Sequence, residues 1–160
     1  MIAVLADTHM PRGNRALPAA CVERIRAAEA VIHAGDFFAA SVLAELRQLN
    51  PRVHAVHGNV DEPALREELP ESIRIGIGER TVAVVHDAGP SKGRLARMRA
   101  RFPEADAVVF GHSHLPLHEE EEGFQIFNPG SPTERRRAPR HSMGLLHPTA
   151  SGLRFEHVWL

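Results

Sequence analysis

The segment Phe110–Pro116 reads FGHSHLP, with His112 and His114 two residues apart directly after the apolar run AVVF. Two imidazoles at i and i+2 on a loop have little structural use. Histidine is the commonest metal ligand and the usual acid or base near neutral pH. The chain has 11 histidines and no tyrosine, so partners for this pair are sought among groups of similar chemistry. Four other short apolar runs end the same way. IAVL is followed by ADTH, with Asp7 and His9; AVIH by AGD, with Asp36. VHAV is followed by HGNVD, with Asn59 and Asp61, and TVAVV by HDAG, with His86.

Taken singly, each residue has an ordinary explanation. Asp7 or Asp61 alone is as readily a helix cap as a ligand. Asn59 in GN is a common turn, and a lone His86 at a strand end is more often a satisfied core histidine. His33, within VIHAGD, is assigned to the core or to a supporting role behind the site. His118, His141, His147 and His157 read as surface residues. The joint occurrence carries the signal, because five apolar runs each deliver Asp, Asn or His at the same end.

Asp7, Asp36, Asn59, His9, His86, His112 and His114 make a mixed nitrogen and oxygen donor set without thiolate. That set suits Mn, Fe, Zn, Co or Ni better than calcium. Seven donors are too many for one tetrahedral ion. They match two ions sharing a bridging carboxylate, about 3.5–4 Å apart, which clamp a phosphoryl group and activate water. Two divalent ions less the charges of Asp7 and Asp36 leave the site roughly +2, which attracts an anionic phosphate ester.

The elements that must position these groups are legible as alternating apolar strands and helical stretches. Ile2–Leu5, Ala30–His33 and Val53–Val56 read as strands. Leu17–Ala28 reads as helix, with Leu17, Cys21, Ile25 and Ala28 at helical spacing. Ser41–Leu49 is a second helix, stopped by Asn50-Pro51. Asp61 is placed as the N-cap of a short helix through Leu69. SIRIGI and TVAVVH form a hairpin around GER, Ser91–Phe102 is a basic helix, and DAVVF is a further strand. FQIF, MGLLH and LRFEHVWL read as β, with Glu119–Glu122 in a solvated hairpin turn. Strands alternating with helices and then β-rich segments indicate an α/β sandwich with a mixed sheet or two sheets. Ligands in open α/β folds bind beyond the carboxyl ends of the strands, where the seven groups fall.

At 160 residues the chain is expected to form one domain spanning residues 1–160. Its net charge of −1 argues against an extended nucleic-acid surface or an anionic-membrane surface. No apolar run approaches the ~20 residues of a membrane span. A single cysteine, Cys21, suits a reducing compartment, and the cytoplasm is the expected location. GIGER (Gly76–Arg80) has no helix after it and is rejected as a dinucleotide loop.

The set DTH, GD, GN, H and GHSH resembles the calcineurin-like metallophosphoesterase superfamily. The short length resembles its small one-domain branch, the YfcE-like phosphodiesterases, and Asn128–Arg136 (NPGSPTERR) is similar to the end of that branch. The resemblance runs from Asp7 to about Arg136. It implies a four-layer αββα sandwich of two mixed β-sheets flanked by helices. It also implies a dinuclear site in which Asp7, His9, Asp36 and His114 hold one metal and Asp36, Asn59, His86 and His112 the other. Mn²⁺ is the expected ion, with Ni²⁺, Fe²⁺, Zn²⁺ or Mg²⁺ as alternatives. The implied reaction is in-line attack on phosphorus by a hydroxide held at that site, with a small phosphate ester as substrate.

Two positions depart from the superfamily pattern. Val60 stands where many members place a histidine after GN, which leaves proton donation to a poor leaving group without its usual source. That favours diesters of acidic alcohols or phenols. Asp87 stands where glycine is more common, and capping of the next turn is the preferred reading. The segment around Arg135, Arg136, Arg137 and Arg140 is read as a solvated loop, with substrate phosphate as the alternative use. Two other functions fit the same fold: a non-catalytic protein-binding scaffold, as in the retromer subunit of this fold, and a phosphomonoesterase. Small members of the family often self-associate, so a homo-oligomer is a further expectation.

Overall fold

The computed structural model describes residues 1–160. Two five-stranded sheets lie face to face. The first is built from β1 (Ile2–Leu5), β2 (Ala30–His33), β3 (Val53–Ala55), β9 (Ser142–Thr149) and β10 (Gly152–Trp159). Its order is β10-β9-β1-β2-β3, with β1, β2 and β3 parallel and β9 antiparallel to both β1 and β10. The second contains β4 (Ser72–Ile77), β5 (Arg80–Val85), β6 (Ala107–Val109), β7 (Leu117–Glu121) and β8 (Phe124–Asn128). Its order is β4-β5-β6-β8-β7, with a parallel β5-β6-β8 centre and antiparallel edges.

The layering follows from period-2 alternation in strands buried on both faces. In β1, Ile2 and Val4 point between the sheets and meet Ile32, Val82, Val84, Val109 and Phe127. Ala3 and Leu5 point the other way, towards α1 (Ala19–Ala27) and α2 (Ala40–Leu49), where Cys21, Ile25, Leu43 and Leu46 complete an outer core. On the far side, Ala83, Val85, Val108 and Ile126 pack under α4 (Arg94–Arg101) through Met98, with Phe102 beside it. The result is the expected four-layer αββα sandwich of two mixed sheets. No helix is long and apolar enough to cross a membrane.

Four local expectations are corrected. Asp61 does not cap α3 (Pro63–Glu68); Glu62 occupies that position, with no side-chain cap bond, and the Asp61 carboxylate is spent elsewhere. Glu119–Glu121 lie in edge strand β7 rather than in the turn, because the β8 backbone needs a partner and an edge strand tolerates exposed charge. His157 is not simply a surface residue: it stacks on Phe127, and its Nε2 lies 2.8 Å from the Asn128 carbonyl. The α4 helix starts at Arg94, later than Ser91, after a left-handed Gly93 (φ 68°). Its arginines are absorbed locally: Arg97 bonds the Ala88 carbonyl, Arg94 bonds the Gly89 carbonyl and stacks on Phe110, and Arg99 pairs with Glu122.

Candidate metal centre

The carboxyl ends of β1, β2 and β3 in one sheet, and of β5 and β6 in the other, open onto one edge of the sandwich. The loops beyond them bring together all seven residues singled out from the sequence. Asp7, His9 and His114 form one group and Asp36, His86 and His112 another, each with its candidate ligand atoms within 4.8 Å of one another. Asn59 belongs to the second, its Oδ1 lying 3.0 Å from both His86 Nε2 and His112 Nδ1. Asp36 connects the two: its Oδ2 is 3.2 Å from His86 Nε2 and 3.5 Å from His9 Nε2. The first group is sealed from solvent, whereas Asn59 and His112 are exposed, so the centre is approached from the second side.

The loops are forced into unusual shapes. Asp7, His9, Asp36, His112 and His114 all adopt left-handed φ, between 45° and 67°, a region that costs a non-glycine residue of order 1–3 kcal/mol. Such conformations persist only where surrounding contacts over-determine them, and here they do. The Asp61 carboxylate, 3% exposed, accepts hydrogen bonds from the amides of Asp36 (3.1 Å), Phe38 (2.7 Å) and Gly58 (2.7 Å). Gly58 packs so closely that a Cβ there would lie 2.4 Å from the Asp36 amide nitrogen. A Cβ at Gly111 would lie 2.8 Å from that of Ala6.

Supporting residues orient the rings. His86 Nδ1 lies 2.8 Å from the Ala34 carbonyl. His33, fully buried, takes a hydrogen bond from the Gly35 amide on Nδ1 and lies 3.2 Å from Thr8 Oγ1 through Nε2. That matches a supporting residue rather than a ligand, and burial holds its pKa down to about 3. Asp87 accepts from the Gly89 amide at 2.7 Å and serves the turn. The sequence reading missed Ser131, Thr133 and Glu134, which bond Asp7, Thr8 and His114 across more than 100 residues of chain in the first two cases. The NPGSPTERR motif covered these positions, but nothing local marked any of them. Within the arginine-rich segment only Arg136 reaches the site, with its Nη1 3.4 Å from the His112 carbonyl.

The donor set fits divalent cations. Asp7 Oδ2, His9 Nε2 and His114 Nε2 are buried without any hydrogen-bond partner, a costly condition for polar atoms unless something else satisfies them. The charge balance says the same. Burial, reinforced by Asp36, drives the Asp7 carboxyl up to about 8 against the opposing field of His86. Burial disfavours charge on His86, but its hydrogen bond to Asp36 and the fields of Asp7 and Asp36 prevail and raise it to about 9. Without cations, Asp7 and His86 therefore both hold their protons to higher pH than they would in water. A cation must displace both protons. Metal affinity is expected to rise steeply between pH 6 and pH 9. Calorimetric titration with Mn²⁺ in two buffers of different ionisation enthalpy should register proton release. Heats independent of the buffer would contradict this.

A probable metallophosphoesterase of Methanothermobacter thermautotrophicus is 35% identical over 138 residues, covering 85% of this chain and 79% of the relative. A phosphodiesterase of Methanocaldococcus jannaschii is 28% identical over 142 residues, covering 81% and 82%. The crystal structure of Vps29 from Entamoeba histolytica, complexed with zinc, superposes with a TM-score of 0.77 at 24% identity. It covers 99% of this chain and 98% of that one, and shows the shared fold. Residues 1–151 match the calcineurin-like phosphoesterase superfamily domain, and the chain belongs to that family.

Proposed function

We propose that the chain hydrolyses phosphate diesters at a two-metal centre. Asp7, His9, Asp36 and His114 would hold one divalent ion, and Asp36, Asn59, His86 and His112 the other, with Mn²⁺ as the preferred metal. The observation that carries this reading is the position of Asp36 Oδ2, within 3.5 Å of a histidine nitrogen from each group. One carboxylate oxygen is thereby within reach of both halves, where it would help to hold two ions about 3.5–4 Å apart. When bound, such cations supply Lewis acidity to the phosphoryl oxygens and to a water nucleophile.

The chain's own residues account for the rest. In the metal-free chain Asp36 is already ionised: burial opposes this, but the hydrogen bond and charge of His86 and the Val60 amide outweigh it and lower its pKa to about 2, so Asp36 has no proton to give up to a cation. The exposed side, at Asn59 and His112, admits substrate, while the sealed side excludes bulk water from Asp7, His9 and His114. Arg136 stands at the rim without a carboxylate partner and is placed to meet a phosphate ester. Val60 donates its amide to Asp36 Oδ1 at 3.0 Å, so position 60 borders the centre with a side chain that cannot donate a proton. That absence favours esters whose leaving alcohol is already acidic.

The test is hydrolysis of bis(p-nitrophenyl) phosphate against p-nitrophenyl phosphate by metal-stripped protein with Mn²⁺, Ni²⁺, Zn²⁺ or Mg²⁺ restored in turn. Metal-restored activity preferring the diester is the expected result. Val60→His is expected to accelerate alkyl esters by at least about tenfold, since a positioned general acid contributes roughly 10²–10⁴-fold, and to change p-nitrophenyl esters little. Two ions bound per chain without turnover on any ester would favour the scaffold reading. A monoester preference would favour a phosphomonoesterase.

A further inference from the structure

We propose that Glu134 is a positioning residue that sets the ring orientation of both histidines in the sealed group, His114 through its backbone carbonyl and His9 through its carboxylate. The inference deepens the metal-centre reading and rests on it for its consequence, though not for its geometry.

A neutral imidazole has one N–H and one lone pair, and the partner of the N–H decides which nitrogen is left to ligate. In the sealed group the two inward atoms are His9 Nε2 and His114 Nε2. They lie 4.0 and 3.6 Å from Asp7 Oδ1, and His9 Nε2 lies 3.5 Å from Asp36 Oδ2. Both nitrogens are buried and unpartnered. The outward atoms both face Glu134. His114 Nδ1 hydrogen-bonds the Glu134 carbonyl. His9 Nδ1, itself buried without a partner, has Glu134 Oε2 at 3.7 Å as its facing acceptor. That is just beyond hydrogen-bond reach, and a small rotation of a side chain that is 27% exposed closes it.

Glu134 is held in place for this task. Its amide donates to Ser131 Oγ at 2.8 Å, and Ser131 Oγ donates to the Asp7 carbonyl at 2.8 Å. Its other carboxylate oxygen is 3.1 Å from Arg15 Nη2. One residue, pinned from two sides, therefore faces both rings. The solvent-side group is built differently: His86 Nδ1 leans on the Ala34 carbonyl, and His112 turns Nδ1 inward to Asn59. A change at Glu134 should consequently be felt by one group and not the other. Within the sealed group it should be felt by His9 and not His114, because a substitution leaves the backbone carbonyl in place.

Long-range ¹H–¹⁵N NMR of the metal-free protein reads the tautomers directly. Both His9 and His114 are expected to carry their proton on Nδ1. Glu134→Leu should move His9 towards the Nε2–H form and leave His114 unchanged, and Glu134→Gln, which keeps an acceptor, should restore His9. In Mn²⁺ titrations followed by electron paramagnetic resonance, Glu134→Leu should weaken one of two binding events by about tenfold or more, and leave the other unaltered. An Nε2–H His9 in the wild-type protein overturns the proposal without any variant. So does unchanged affinity for both ions in a folded Glu134→Leu protein. The expected tautomers in a chain that binds no Mn²⁺ would support the role of Glu134 and refute the metal centre instead.

Discussion

Asp36→Asn is expected to reduce metal-dependent turnover by about 10³-fold or more while leaving the protein folded. The asparagine keeps the volume of the side chain and an oxygen that still accepts from the Val60 amide, now 3.0 Å from Asp36 Oδ1. What it loses is the charge on the oxygen that faces His9 and His86. A shared carboxylate is the one ligand whose loss weakens both halves of the centre. Metal-based charge stabilisation is worth several kcal/mol in the transition state, and about 1.4 kcal/mol corresponds to each factor of ten. Steady-state kinetics on bis(p-nitrophenyl) phosphate, with metal content measured on the same samples, provides the check. Turnover within tenfold of wild type in a folded variant would remove Asp36 from the bridging position.

Asp61→Ala should be strongly destabilising. Its carboxylate satisfies the three amides of Asp36, Phe38 and Gly58 at once, in a site with almost no solvent contact. Each buried donor left without a partner costs about 1–3 kcal/mol, so the loss should reach at least about 3 kcal/mol. For a chain of this size that corresponds to a fall in Tm of roughly 10 °C. Thermal unfolding of the metal-free protein by circular dichroism measures it. A change of less than about 2 °C would mean that water or relaxation replaces the carboxylate, and that Asp61 is not what ties the Asp36 loop to the Gly58 loop. Asp61→Asn, which keeps one oxygen, should fall between the two.

Asp61 also marks where sequence reasoning stops. An aspartate two residues before Pro63 looks like a helix cap, because capping is a local rule. The amides it serves are more than 20 residues away in two of three cases, and nothing in the local pattern announces them. Glu134 was missed for the same reason, since its partner His9 is at the other end of the chain. By contrast, IAVL, AVIH, TVAVV and AVVF were legible because strands buried on both faces are apolar along nearly their whole length. The donor residues were legible because they follow those strands directly, and the topology carries each of them to the same edge. The acidic run was misplaced because charge density was read as turn, whereas β8 imposed strand on β7. His157 was misread because the aromatic ring under it, Phe127, belongs to the other sheet.

The left-handed backbone beneath Asp7, His9, Asp36, His112 and His114 has a consequence for how such a chain can change over generations. At those angles glycine is relaxed, and aspartate and histidine are not. Selection for a more stable fold and selection for a reactive centre therefore pull on the same five codons in opposite directions. If the centre carries the proposed chemistry, the present residues last while that chemistry is rewarded. Were that reward withdrawn, drift at these codons would strip the centre and spare the sandwich, whose two sheets and outer helices hold together through other residues. The fold would then outlast its own centre.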